Sequence, residues 1–171
     1  MPNWCYNSIT ISHEDPAMIT KIAESKNVLQ NLIPCPEELL NTVSGRLAGE
    51  DQLELEKKEK SNLEKYGYEN WYDWCVAEWG TKWDIQIEDK TLSEDGKTLT
   101  GWFHSAWSPP IGAYDKLQEM GFTIHALYNE PGCAYAGEYE DGEDYYSEYN
   151  FEDENWREGM SDALVDMLAV S

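Results

Sequence analysis

The sequence predicts an α+β chain built on a split βαββαβ core and extended at its far end by a β-hairpin and a helix. Three observations predict it. Alternating runs of apolar and polar residues recur near residues 4–11, 83–88, 99–107 and 122–128, the period-two signature of strands. Runs with apolar residues at helical spacing fall between the first and second of these, and again between the third and fourth. Pro, Gly and Asp punctuate the joins, as turns and caps require. That element order is the one found in ferredoxin-like folds.

Each element has a local cause. From Trp4 to Ile11, Cys5, Asn7, Ile9 and Ile11 fall on one side and Trp4, Tyr6, Ser8 and Thr10 on the other. Asp15-Pro16 opens a helix, with Asp15 as N-cap and Pro16 at its first position. Met18, Ile19, Ile22 and Ala23 then recur at helical spacing. Pro34 and Pro36 interrupt the next segment, and Pro36-Glu37-Glu38 opens a short helix. Residues 42–68 are polar; Leu53, Leu55 and Leu63 are too sparse for a core helix, so a solvated helical insertion after the first helix is expected.

Trp71, Trp74, Cys75 and Trp79 crowd into a helix that Gly80 ends. Trp83, Ile85 and Ile87 alternate with Asp84, Gln86 and Glu88 to predict a strand. Asp95-Gly96 turns it into a partner over Leu99 to Trp107. Pro109-Pro110 begins a helix carrying Ile111, Tyr114, Leu117 and Met120, closed by Gly121, and Phe122 to Tyr128 is the next strand. Ala134 to Phe151 reads as a hairpin turning at Asp141-Gly142, and Glu154 to Val170 as an amphipathic helix with Met160, Ala163, Leu164, Met167 and Leu168 on its apolar side. The whole, residues 1–171, reads as a single domain with an acidic hairpin and helix over 130–171.

Charge narrows the function. The 171 residues hold 34 Asp and Glu against 12 Lys and Arg, a net charge of −22. Such a field repels DNA, RNA and anionic lipid, so neither direct nucleic-acid binding nor membrane association is expected. With 41% hydrophobic residues, eight Trp and eleven Tyr, the chain is rich enough to fold. No apolar run approaches the roughly 20 residues of a membrane span, and Met1-Pro2-Asn3-Trp4-Cys5 has no signal-peptide character. A cytoplasmic protein is expected. Cys5, Cys35, Cys75 and Cys133 form no CxxC and read as free thiols. His13, His104 and His125 are scattered without ligand spacing, so no metal and no cofactor is predicted.

Several phrases together carry a resemblance: Asn3-Trp4-Cys5-x-Asn7, Pro34-x-Pro36-Glu37-Glu38-Leu39, Trp79-Gly80-Thr81-Lys82-Trp83-Asp84, Ala106-Trp107-Ser108-Pro109-Pro110 and Glu130-Pro131-Gly132. In that order they resemble the YubB-like ferredoxin-like proteins of bacteriophages and conjugative plasmids, over roughly residues 3–137. The resemblance implies the fold and a mobile-element origin. It implies no activity and no catalytic residues. A ferredoxin-like fold needs no iron–sulfur cluster, and four dispersed Cys lack cluster spacing.

Two candidate sites emerge. Residues 130–171 hold 13 of the acids and one base, Arg157. On the expected last helix Glu158, Asp162 and Asp166 recur every four residues, placing carboxylates roughly 6 Å apart. Glu138, Glu140, Asp141, Glu143, Asp144 and Glu148 are expected to continue the row along the hairpin, with Glu152, Asp153 and Glu154 between. Phosphates of one DNA strand advance about 3.4 Å per charge, so two such rows approximate a nucleic-acid backbone. The expected partner is a host protein with a basic surface, a nuclease or a restriction- or CRISPR-type defence complex. Calcium is the other reading of Glu140 to Asp144, but the spacing fails the EF-hand pattern.

The second candidate is a ligand pocket of Trp79, Lys82, Trp83 and Trp107 at the junctions of strands and helices, suited to a stacked nucleotide. A nucleotide hydrolase is the third reading, and the sequence offers it little. His13-Glu14-Asp15 sits at a turn, His104 and Ser105 point to opposite sides of a strand, and GxSxG, GxxxxGK[ST] and GxGxxG are absent.

Overall fold

A computed structural model describes residues 1–171. The elements in chain order are β1 (Trp4–Ser12), α1 (Pro16–Ala23), α2 (Val28–Leu32), α3 (Glu37–Leu40), α4 (Glu50–Tyr66), α5 (Trp71–Glu78), β2 (Glu88–Leu92), β3 (Thr98–Ala106), α6 (Ile111–Glu119), β4 (Thr123–Glu130), β5 (Tyr135–Glu140), β6 (Glu143–Glu148) and α7 (Asp162–Ala169). The strands form one six-stranded sheet in the order β2-β3-β1-β4-β5-β6, antiparallel throughout. The chain is thus α+β. No helix is long and apolar enough to cross a membrane.

Alternation divides the sheet into two unlike faces. On one, Ile9, Ile11, Leu99, Phe103, Ile124, Ala126 and Tyr139 are buried against Ile19 and Ile22 of α1, Trp74 and Cys75 of α5, and Tyr114 and Leu117 of α6. On the other, α7 packs only over β4 and β5, where Leu164 and Leu168 meet Ala136 and Tyr149. The outer side of β1 and β3 has no helix packed upon it, and only the end of α7 borders it, across a cleft between Met167 and Trp4, Tyr6 and His104.

The caps form where the sequence predicts them. The Asp15 carboxylate accepts from the Ala17 N–H at 3.0 Å, with Pro16 at the first helical position. Gly80, at φ +84°, ends α5 and lies so close to α6 that a Cβ would stand 2.9 Å from the Ile111 nitrogen. Between α1 and the polar insertion stand two short helices, α2 and α3, and the insertion is the 17-residue α4.

Two elements differ from expectation. Residues 83–87 are not a strand: Ile85 and Ile87 are buried as the alternation predicts, but the backbone bonds to α2 instead of the sheet. Asp84 accepts from the N–H groups of Leu29 (2.8 Å) and Gln30 (2.9 Å) at the start of α2, and Val28 donates to the Ile85 carbonyl. A carboxylate satisfying free amides at a helix start outcompetes a ladder bond. Pairing with β3 therefore begins only at Glu88 and carries a bulge before Thr91.

The last helix begins at Asp162, not near Glu154. Asn150 and Asp153 side chains accept from the backbone N–H groups of Glu152 and Asn155, turns that compete with helix. Gly159 then takes φ +81°, and Ser161 caps α7 by accepting from Leu164.

Candidate functional site

The acidic end is built from β5, β6, the turns over 149–160 and α7. Of its twelve predicted contact residues, Glu140, Asp141, Glu143, Asp144, Glu148, Glu152, Asp153, Glu154, Glu158, Asp162 and Asp166 are all exposed. None of these eleven carboxylates forms an ion pair. Arg157, the one base of the region, lies over the Trp156 ring at 4.9 Å. No cation of the chain pairs with this charge.

The arrangement corrects the expected rows. Glu158 sits in a turn, so only Asp162 and Asp166 are one helical turn apart on α7. The hairpin acids do not continue that row, because strand alternation splits them. Glu138, Glu140 and Glu143 point to the side that α7 covers, whereas Asp144 and Glu148, opposite Tyr139 and Tyr135, point to the helical side. The result is a negative rim around the edge strand β6. Asp144 accepts from the Tyr128 hydroxyl at 2.7 Å, and burial raises its carboxyl above the usual aspartate value.

Glu138 leaves the contact set. Its residue is only 8% exposed, and its carboxylate meets His125 Nε2 at 3.1 Å and the Ser161 hydroxyl. Burial opposes its ionisation, but the hydrogen bonds from Ser161 and His125 prevail and hold its carboxyl below the usual value. This cluster ties α7 to the sheet. It also brings together a histidine and acids that the sequence leaves apart: ligand atoms of His125, Glu138 and Glu140 lie within 4.8 Å of one another. Such a set suits a divalent cation in donor type, yet both Glu138 oxygens already have partners.

The second candidate is only partly assembled. Lys82 Nζ lies 4.2 Å from the Trp83 ring centroid and 4.1 Å from that of Trp107. Those rings are 42% and 46% exposed. Trp79 does share a shallow cleft of about 260 Å³ with Lys82 and Trp83, which Trp107 does not line, but it is 3% exposed and donates its indole N–H to the Ile33 carbonyl at 2.8 Å, so most of its ring belongs to the core. The Lys82 ammonium occupies one face of each of the Trp83 and Trp107 rings. Trp107 holds φ +67°, rare for a bulky residue. Its backbone is pinned on both sides, since its N–H donates to Asn3 and its carbonyl accepts from the Tyr135 hydroxyl.

His104 and Ser105 do face opposite sides. Ser105 is buried, accepting from Asn7 and donating to the Ser108 carbonyl, while His104 is exposed. His13 accepts from the Asp15 N–H at 2.9 Å while Asp15 caps α1. All four cysteines are free thiols, and three are buried.

Sequence reasoning missed one group. On the uncovered face, Tyr6 of β1 stacks with Trp102 of β3 at 6.0 Å and 26°, and His104 meets both edge-on. The signal was present: Trp4 and Tyr6 fall on the solvent side of the β1 alternation, and Trp102 and His104 fall on the same side of the next strand. What identifies them as a group is the β1–β3 register, which a single sequence does not print.

No protein-family model matches the chain, and no curated protein matches it. Among solved structures it is similar to the crystal structure of a protein api92 from Yersinia pseudotuberculosis, described by the family model DUF1281. The two are 11% identical, with a TM-score of 0.42, over 88% of this chain and 99% of that one.

Proposed function

We propose that the chain is a non-enzymatic accessory protein that binds a basic surface of a host protein through its acidic end. In this reading β1, α1, β2, β3, α6 and β4 make a ferredoxin-like core, its strands in the order β2-β3-β1-β4, and the hairpin and α7 are the added binding end. The observation that carries it is the set of eleven exposed carboxylates between Glu140 and Asp166 without a single intramolecular ion pair. Like charges held together on a folded surface repel one another, and a basic partner relieves that repulsion on binding. The partner best matched to dense negative charge is one that normally holds nucleic acid. The resemblance to proteins of phages and plasmids points to a host nuclease or defence complex of the restriction or CRISPR type.

The test is capture of host nucleic-acid enzymes at low and high salt, repeated with Glu158→Lys and Asp166→Lys together. A basic partner that is held at low salt, released at high salt and lost with the double variant supports the reading. Retention unchanged by charge reversal, or no basic partner at low salt, overturns it.

A further inference from the structure

We infer that the uncovered sheet face over β1 and β3 reads arginine side chains of a basic protein segment, with Tyr6 and Trp102 as the stacking rings and the acids of β2 as the anionic wall. This rests on the reading of the protein as a binder of a basic partner, and it adds the chemistry by which such a partner is recognised.

Four features converge there. The first is the aromatic stripe: Tyr6 and Trp102 are half-buried and stacked, with the exposed His104 against both. A guanidinium lies flat on such rings, and its hydrogens point outward to any carboxylate at the rim. The second is that rim. Glu88 pairs with Trp102 across the β2–β3 ladder and so shares its side of the sheet, and Asp89 accepts from the Trp102 indole N–H at 2.7 Å. The third is what the face lacks. β1 and β3 to β6 contain no Lys or Arg, and Lys90 of β2 donates to the Ala23 carbonyl at 2.7 Å. The fourth is room. At the far end of the stripe, between β1 and α7, a cleft of about 520 Å³ is lined by eight residues, among them Trp4, Tyr6, His104 and Met167, with no Lys or Arg side chain in it.

Charge decides the occupant. A nucleobase would also stack on these rings, but its phosphates would meet Glu88, Asp89 and a net charge of −22, and the one strand cation, Lys90, is engaged by the Ala23 carbonyl. A cationic side chain meets the same acids favourably. The molecule already uses this contact with its own cations: Lys82 against Trp83 and Trp107, and Arg157 on Trp156.

Titration calorimetry of the full chain with oligoarginine, oligolysine of equal length and oligothymidylate tests this. Stacking favours arginine where charge alone does not, so oligoarginine should bind at least about fivefold more tightly than oligolysine. Tyr6→Leu and Trp102→Leu should erase that preference, bringing the two peptides to equal affinity. Glu158→Lys with Asp166→Lys should weaken both peptides alike and leave the ratio standing. Equal affinity in the native chain, or a ratio that survives Tyr6→Leu, overturns the inference while leaving the acidic-end reading intact. Binding of neither peptide overturns both, and tight binding of oligothymidylate gives the face to nucleic acid instead. Should a leucine variant unfold, NMR of the native chain decides: the rings of Tyr6 and His104 shift with oligoarginine, or the inference fails.

Discussion

The two faces of one sheet have opposite fates. Phe103 and Trp102 are neighbours in β3; the first is 0% exposed beneath the helices, and the second stands half-open on a face no helix covers. Their side chains are comparable in size and hydrophobicity. What separates them is the supply of helices: α1, α2, α5 and α6 all go to one side, and α7 reaches only β4 and β5 on the other. The covered face therefore carries stability, and the open face is free to carry recognition.

The largest expected effect tests that division directly. Phe103→Ala should cost about 3–5 kcal/mol, the range for a large aromatic lost from a core, whereas Trp102→Ala should cost less than half as much. Urea denaturation of both variants measures it, and equal losses would erase the distinction between the faces. Next is the rim. Glu158→Lys with Asp166→Lys should weaken a basic partner roughly tenfold, about 1.4 kcal/mol, at low salt. Little of that loss should persist at high salt, and thermal stability should hold.

Acid sharpens the comparison further. On the helical side of the chain, Glu78 bonds Lys116 at 2.6 Å and Tyr68 at 2.8 Å, and the Lys116 bond above all holds its carboxyl below the ordinary 4.5. Its stabilisation is present above pH 4.5 and is lost as pH falls through the lower folded value. Glu78→Gln should therefore cost about 1 kcal/mol at neutral pH and less in acid. At the acidic rim the sign reverses. Burial raises Asp144 above its ordinary 3.8, so its charge is a small penalty at neutral pH that fades as pH falls through the folded value towards 3.8. Asp144→Asn should raise the denaturation midpoint slightly at pH 7 and leave it unchanged near pH 3.

The smallest effect concerns thiols. Cys133 alone is exposed, while burial pushes the Cys5 thiol up to about 12. A thiol reagent should find one fast-reacting cysteine in the native protein and four in denaturant. A second fast thiol would mean that the covered face is not sealed.

Much of this was legible in the residues. The β1 alternation placed Cys5, Asn7, Ile9 and Ile11 inside, Asp15-Pro16 marked the start of α1, and Asp141-Gly142 marked the hairpin turn. What escaped were contacts between segments distant in sequence. The Asp84 alternation looks like a strand until α2 arrives with unbonded amides. Glu138 looks like any surface acid until His125 and Ser161 close over it. The acid-rich end was visible because charge is a property of composition. The Tyr6–Trp102 stripe was not, because it exists only once β1 and β3 are in register.

The edge strand β6 gives the acidic rim a second consequence. Tyr145, Tyr146 and the open backbone of Glu143–Glu148 form a segment of high strand propensity that could pair with its own copy. Glu143, Asp144 and Glu148 act there as gatekeepers: two such edges brought together would set carboxylate against carboxylate along the seam. That repulsion works against a second copy extending the six-stranded sheet at β6.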